Sequence, residues 1–195
     1  MDKQALFTVP LYTTDYPRHN VDKELFITYL EKYIENSPAS IRNDKISFVT
    51  KKSLHTVSIF DNLVKFLGEQ CPLLHADFDI SLDKSIGVSA MWASKCNTDE
   101  QISAQFHTKS FLYGVYMLQT PPLAGKLQAE IDLADRNYFG EINSDTANTV
   151  NSGVFQGPLP EGKILLMPAH ITTSYSFNLD TSPRYMIHFL LQVLF

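Results

Sequence analysis

The sequence predicts an α+β protein that is mainly β, and three features of its patterning predict it. Two early segments repeat their apolar residues at helical spacing. The period falls to two from about residue 74, and turn-forming residues punctuate everything after that. No long helical segment separates the later strands, so they are expected to pair chiefly antiparallel, in a sandwich, barrel or jelly roll.

The stretch "ALFTVPLYTTDYP" alternates weakly around Pro10. It reads as an edge strand or an extended arm, because proline cannot donate into an interior ladder. Residues 20–38 place Leu25, Phe26, Tyr29, Leu30, Tyr33 and Ile34 on one helical face, with Asn20 or Asp22 to cap the helix and Pro38 just past its end. Residues 53–67 form a second helix, with Val57, Phe60, Leu63, Val64 and Leu67 on one side, Ser53 as N-cap and Gly68 as the residue that stops it.

The strand candidates are "FDISLDKSIGVSAMWA", ending near Trp92, then "QFHTKSFLYGVYML", "KLQAEIDLA", "GKILLMPA", "TSYSFNL" and "RYMIHFLLQVLF". Turn signals lie at 120–125, Gly157-Pro158, Pro160-Glu161-Gly162 and Ser182-Pro183. Residues 140–157 are polar and small and read as a long loop. The expected organisation is one domain over 1–195, with an arm and helices in 1–70 and the strands in 71–195.

An apolar fraction of 44% in 195 residues suffices for a packed core. The net charge of −5, with Lys51-Lys52 the only adjacent basic pair, argues against a nucleic-acid partner, which requires a basic surface. Cys71 and Cys96 do not form a Cys-x-x-Cys motif, and two reduced thiols are expected rather than a disulfide. The N-terminus carries no signal-like apolar run, and no stretch approaches a membrane span, so a cytoplasmic setting without membrane is expected. There is no glycine-rich phosphate loop and no Gly-x-Ser-x-Gly, and neither cysteine has the neighbours of a nucleophile.

The order of landmarks in the C-terminal half carries more information. Trp92 is followed by "HTKSFLYGVYML", then "GKLQAEIDL", "PLPEGKILLMPA" and "SPRYMIHFLL". This order resembles the 2-oxoglutarate/Fe(II)-dependent oxygenase superfamily, and within it the small oxygenase-like proteins common in marine bacteria and their phages. That family shows His-x-His-Pro-x-Ser-Phe-Leu-Ser-Gly-Val-Tyr-Tyr-Leu, then Pro-x-Gly-x-Leu-Leu-Leu-Phe-Pro-Ser, a histidine five residues after that last proline, and an arginine leading into the last strand. The resemblance covers most of the chain and is strongest over 92–195. It implies a double-stranded β-helix, a cupin-like jelly-roll barrel, with two or more N-terminal helices packed on one face.

The chemistry implied by the resemblance is that of non-haem Fe(II) on a facial triad of two histidines and a carboxylate or a variant of it, with positions left open for co-substrate and O₂. An arginine on a late strand grips the distal carboxylate of 2-oxoglutarate. Carried over residue by residue, the arginine falls on Arg184. The metal positions fall on Gln105, His107 and Thr173, of which one is an imidazole. One imidazole with an amide and a hydroxyl binds Fe(II) weakly. A rearranged site of His107, His170 and His188 is the alternative, with Asp99 or Glu100 to supply a carboxylate.

Each residue also has a plainer role open to it. His107 is either a remaining ligand or a hydrogen-bonded barrel histidine. Arg184 anchors a carboxylate or makes an ion pair at the rim. His170 is a ligand or a loop residue. Trp92 and Tyr116 suit the core, and a solvated Lys109 would disfavour a cation nearby.

The expected function is therefore a non-catalytic binding or structural component without cofactors. Its partners would be other proteins, a second copy of the chain or, by the family's association with phages, virion proteins, in the host cytoplasm or the virion. The alternative is an active dioxygenase using Fe(II) and 2-oxoglutarate. A third reading is a cupin-like binder that uses the barrel mouth without iron.

Overall fold

A computed structural model describes residues 9–36, 48–81, 83–107, 109–130, 154–158 and 160–194. These hold ten strands and two α-helices: β1 (Tyr12–Asp15), α1 (His19–Glu35), β2 (Phe48–Val49), α2 (Asp61–Asp77), β3 (Ser85–Cys96), β4 (Ile102–Gln105), β5 (Leu112–Gln119), β6 (Lys126–Glu130), β7 (Val154–Pro158), β8 (Lys163–Pro168), β9 (Thr172–Tyr175) and β10 (Arg184–Leu194). Two single 3₁₀ turns, Leu54–Thr56 and Ser58–Phe60, precede α2. Six strands form one sheet in the order β1-β8-β5-β10-β3-β2, and four form a second in the order β4-β9-β6-β7. Every strand pair is antiparallel, as the lack of long helical crossovers requires. This is the mainly β jelly roll of the sequence expectation, with Pro10 just outside an edge strand, β1.

The large sheet is apolar on both faces, and its period of two sorts the residues. On β10, Tyr185, Ile187, Phe189 and Leu191 face outward onto the helices, with Leu112, Tyr116 and Leu118 of β5 and Ile164 and Leu166 of β8. Phe26 and Leu30 of α1 and Leu63, Leu67 and Leu74 of α2 complete this outer core. The alternate residues face inward. Trp92, Cys96, Tyr113, Val115, Met117, Leu165, Met167 and Met186 meet Ile102, Leu127 and Tyr175 of the small sheet. Trp92 and Tyr116 are thus both core, one on each face, although Trp92 lies within β3 and does not end it.

Gly114 of β5 leaves room for side chains of both neighbouring strands. A Cβ there would lie 2.2 Å from the ring of Phe189, its cross-strand partner on β10, and 2.8 Å from Leu166. Only a residue without a side chain lets that ring lie across the strand.

Several sequence expectations are corrected. α1 begins at His19, and neither Asn20 nor Asp22 caps it; no side chain bonds its first turn. Asp22 is instead buried, accepting from the Tyr16 hydroxyl at 2.6 Å and from Arg18 at 3.0 and 3.1 Å. Leu25 is half exposed, because the buried face of α1 runs through Asp22, Phe26 and Leu30. The second helix does not start at Ser53 or stop at Gly68. The 3₁₀ turns take up its predicted start, and α2 runs on through Gly68 and Pro72 to Asp77. Burial of Leu67, Cys71 and Leu74 against β3 and the outer core sustains it past both helix breakers. The helical region thus passes residue 70, and β3 begins only at Ser85. The predicted strand running from Gln105 through Leu118 splits into β4 and β5, leaving His107 in the connection. The end of the predicted loop 140–157 is strand: β7 pairs with β6, so Gly157-Pro158 lies in a ladder and not in a turn. The rest of that loop lies outside the described residues.

Candidate functional site

The inward face of β10 carries Arg184, Met186 and His188 in succession, and the antiparallel register sets Cys96, Ser94 and Trp92 of β3 directly opposite them. Arg184, His188 and Ser94 are all buried. A buried polar group must find partners, and these do so inside the barrel. One ring nitrogen of His188, Nε2, lies 2.7 Å from the Ser94 hydroxyl; the other, Nδ1, lies 2.7 Å from the Tyr113 hydroxyl, which is 2.8 Å from that of Tyr175. The imidazole stacks on Trp92, with ring centroids 5.4 Å apart and planes 12° from parallel. Burial, with His107 and Arg184 nearby, pushes the His188 pKa down to about 3, so the ring is neutral at physiological pH. A neutral ring has one N–H, so it donates on one side and accepts on the other.

His107 follows β4. Its backbone N–H donates to the Ala169 carbonyl at 3.0 Å, which ties the β4–β5 connection to the turn after β8. Its ring stacks on Tyr113 at 4.7 Å and lies 5.4 Å from Trp92, whose face also carries the Lys52 ammonium at 4.9 Å. Burial and then the Lys52 charge lower its pKa to about 4. Its Nε2 is buried without a hydrogen-bond partner, and so is the hydroxyl of Thr173.

Gln105 and Thr173 are cross-strand partners on β4 and β9. The first and distal metal positions implied by the resemblance are therefore brought opposite one another, with His107 two residues away. His170 is exposed in the turn after β8. Glu100 is spent within the β3–β4 turn, accepting from the Asn97 backbone N–H at 2.7 Å, and Asp99 stands in the same turn at positive φ. Lys109 is exposed at φ 71°. Among the described residues, no three His, Cys, Asp or Glu side chains gather where they could hold a metal ion.

Among the described residues, Arg184 makes no ion pair at the rim. It is fully buried, with Nη1 donating to the carbonyls of Ala124 and Ser176, the latter at 2.9 Å, and Nη2 donating to the Cys96 sulfur at 3.2 Å. Its Nε has no partner.

The residues do not fit a facial triad. Gln105 offers an amide and Thr173 a hydroxyl where an imidazole or carboxylate is needed. His188 has both nitrogens committed, so it cannot join His107 without breaking the Ser94 or Tyr113 bond. The anion end fits better: a buried guanidinium with an unpartnered Nε–H retains a donor for a carboxylate.

Sequence reasoning missed Ser94, Tyr113, Tyr175 and Lys52. Alternation on "SAMWASKC" sets Trp92, Ser94 and Cys96 on one face. Their opposition to His188, Met186 and Arg184 depends on a register that one strand's sequence does not carry.

No family model matches the chain, and no curated protein matches it. Solved structures do. A prolyl-4-hydroxylase from Pseudomonas putida superposes with a TM-score of 0.64 at 8% identity, covering 95% of this chain and 94% of that one. The non-haem α-ketoglutarate-dependent carbocyclase SnoK of nogalamycin biosynthesis reaches 0.67 at 10%, covering 93% and 78%. HygX from Streptomyces hygroscopicus, solved with nickel and 2-oxoglutarate, reaches 0.59 at 13%, covering 95% and 83%. At these identities the likeness is one of fold: the chain has the fold of the 2-oxoglutarate/Fe(II) oxygenases.

Proposed function

We propose that this chain is a non-catalytic relative of the oxygenases whose fold it shares. In this reading the barrel and its buried arginine are kept, the iron position is vacated, and the protein acts as a binding component. The observation that carries the reading is the opposition of Gln105 and Thr173 across β4 and β9. Both sit where the resemblance expects ligands, and neither is a donor that holds Fe(II) firmly. His188 adds support, since Ser94 and Tyr113 occupy both of its nitrogens.

Arg184 suits an anionic ligand, a carboxylate above all, because no acidic side chain pairs with it among the described residues. Protein partners are the second part of the proposal. Leu123, Phe177 and Leu179 are exposed on loops at one end of the barrel, with Leu179 bonded to the Leu123 carbonyl at 2.9 Å. Such a patch suits contact with a second copy or with virion proteins, the latter on the family's phage association alone.

The test is an anaerobic titration with Fe(II) and 2-oxoglutarate, followed by exposure to O₂. The expected result is no metal-to-ligand charge-transfer band and no succinate. A band, or succinate formed in proportion to protein, would establish the rival reading of an active dioxygenase. The buried free Nε2 of His107 is the feature that favours that rival, as one ligand of a rearranged site.

A further inference from the structure

We propose that Lys52 makes the barrel beside His107 repel divalent cations and draw anions, so that the emptied iron position is reversed in charge preference as well as stripped of ligands. Lys52 belongs to the only adjacent basic pair in the sequence, and the fold brings it onto Trp92. The segment that carries it is pinned along β3. Thr50 donates its N–H to the Ala93 carbonyl at 3.0 Å, and its hydroxyl accepts the Ala93 N–H at 3.0 Å. The Lys52 carbonyl accepts from the Met91 N–H at 3.2 Å. The lysine backbone is thereby fixed next to Trp92, and its ammonium lies 4.9 Å from the centre of the indole ring. His107 lies against the same indole at 5.4 Å, and the Lys52 charge reaches its imidazole.

A cation on an aromatic face is held by the ring itself and needs no carboxylate. Lys52 takes part in none of the ion pairs among the described residues. Glu130 stands on β6 opposite Thr172, but strand alternation turns it away from the barrel. Leu127 and Ala129 of that strand pack inward, whereas Gln128 shares the outer face with Glu130 and donates to it. The charged side chain buried on the inner face, Arg184, is a second cation.

On the reading that the iron position is vacated, a metal ion at His107 meets the Lys52 ammonium beside the indole, like charge against like in an interior that screens poorly. An anion at the same place is attracted. Removing the lysine charge should raise the affinity of a restored metal site by about tenfold.

Trp92 is the only tryptophan, so its emission reports the local potential without any metal. Iodide and caesium quench it at matched ionic strength, with neutral acrylamide to correct for access. The iodide-to-caesium ratio should fall in Lys52→Met, fall further in Lys52→Glu, and hold in Lys52→Arg. A ratio that is the same in all four proteins would overturn the proposal. In a second arm, adding Lys52→Met to the double variant Gln105→His, Thr173→His should tighten Co(II) binding by the stated factor, and Lys52→Arg should not. Unchanged Co(II) affinity on loss of the charge would count against Lys52 as the barrier. Stoichiometric Fe(II) binding by the wild-type chain would instead overturn the vacated-site reading, and the quenching ratio would still decide the role of Lys52.

Discussion

The hydroxyl of Tyr113 and Nδ1 of His188 lie 2.7 Å apart at the centre of the barrel, and that bond fixes the state of the imidazole. It links β5 to β10, places the ring parallel to Trp92, and takes the nitrogen that a metal would need. Removing the hydroxyl by Tyr113→Phe leaves Nδ1 and the Tyr175 hydroxyl short of a partner in a dry interior. The expected cost is about 1–3 kcal/mol of stability, read as a lower urea midpoint at unchanged slope. An unshifted midpoint would mean that the bond contributes nothing.

Acid should weaken the fold before the carboxylates titrate. His188 and His107 have pKa values of about 3 and about 4 in the folded chain, against an ordinary 6.5. Below 6.5 the unfolded chain therefore binds protons that the folded chain refuses, and stability falls as pH falls. The contribution is complete above pH 6.5 and is lost progressively toward about 4 and then about 3. It amounts to about 3 kcal/mol or more for the two histidines together. Melting temperature measured from pH 7.5 down to 4.5 should hold until about 6.5 and then decline, and His188→Gln should flatten the decline. A flat wild-type profile would contradict the buried neutral state.

Gly114→Ala tests the packing of the Phe189 ring over β5. The new methyl meets the ring of Phe189 and the side chain of Leu166 well inside contact distance. Displacing a packed ring costs about 1–3 kcal/mol. Pairing the change with Phe189→Leu should recover part of that loss, which a double-mutant cycle would measure.

Asp22→Ala tests how α1 is held in place of a cap. The carboxylate accepts from the buried Tyr16 hydroxyl and from Nε and Nη2 of Arg18, which is half exposed. Loss of the acceptor strands the tyrosine hydroxyl, for an expected cost of about 1–3 kcal/mol in denaturant titration. Arg18→Ala should cost less than about 1 kcal/mol, as exposed ion pairs do.

What the sequence disclosed follows from what a local pattern encodes. A short apolar run bounded by turn residues, such as "LYGVYMLQ" or "KILLMP", is a property of a single strand, and both are strands in the structure. The arginine at 184 and the histidine at 188 share a face because side chains alternate along one strand, and both are buried on the inner side. Pairing register is a property of two strands, so the contacts of His188 with Ser94 and of Arg184 with Cys96 were not legible. The second helix was misplaced because Gly68 and Pro72 are local breakers, whereas the forces that carry α2 to Asp77 come from packing on the sheet. β7, "VFQGP", was missed because it is short and ends on Gly157-Pro158, which read locally as a turn, and only its partner β6 makes it a strand.

Metal binding by a restored site tests the central claim most directly. Fe(II) or Co(II) affinity is measured anaerobically for the wild-type chain, for His107→Ala, and for the double variant Gln105→His, Thr173→His. The account predicts no stoichiometric binding by the first two and one metal per chain in the double variant, with an absorption spectrum typical of imidazole ligation. Wild-type binding of one equivalent that is lost in His107→Ala would contradict the claim that the iron position is vacated. A double variant no better than the wild type would contradict the claim that the barrel still brings those three positions together.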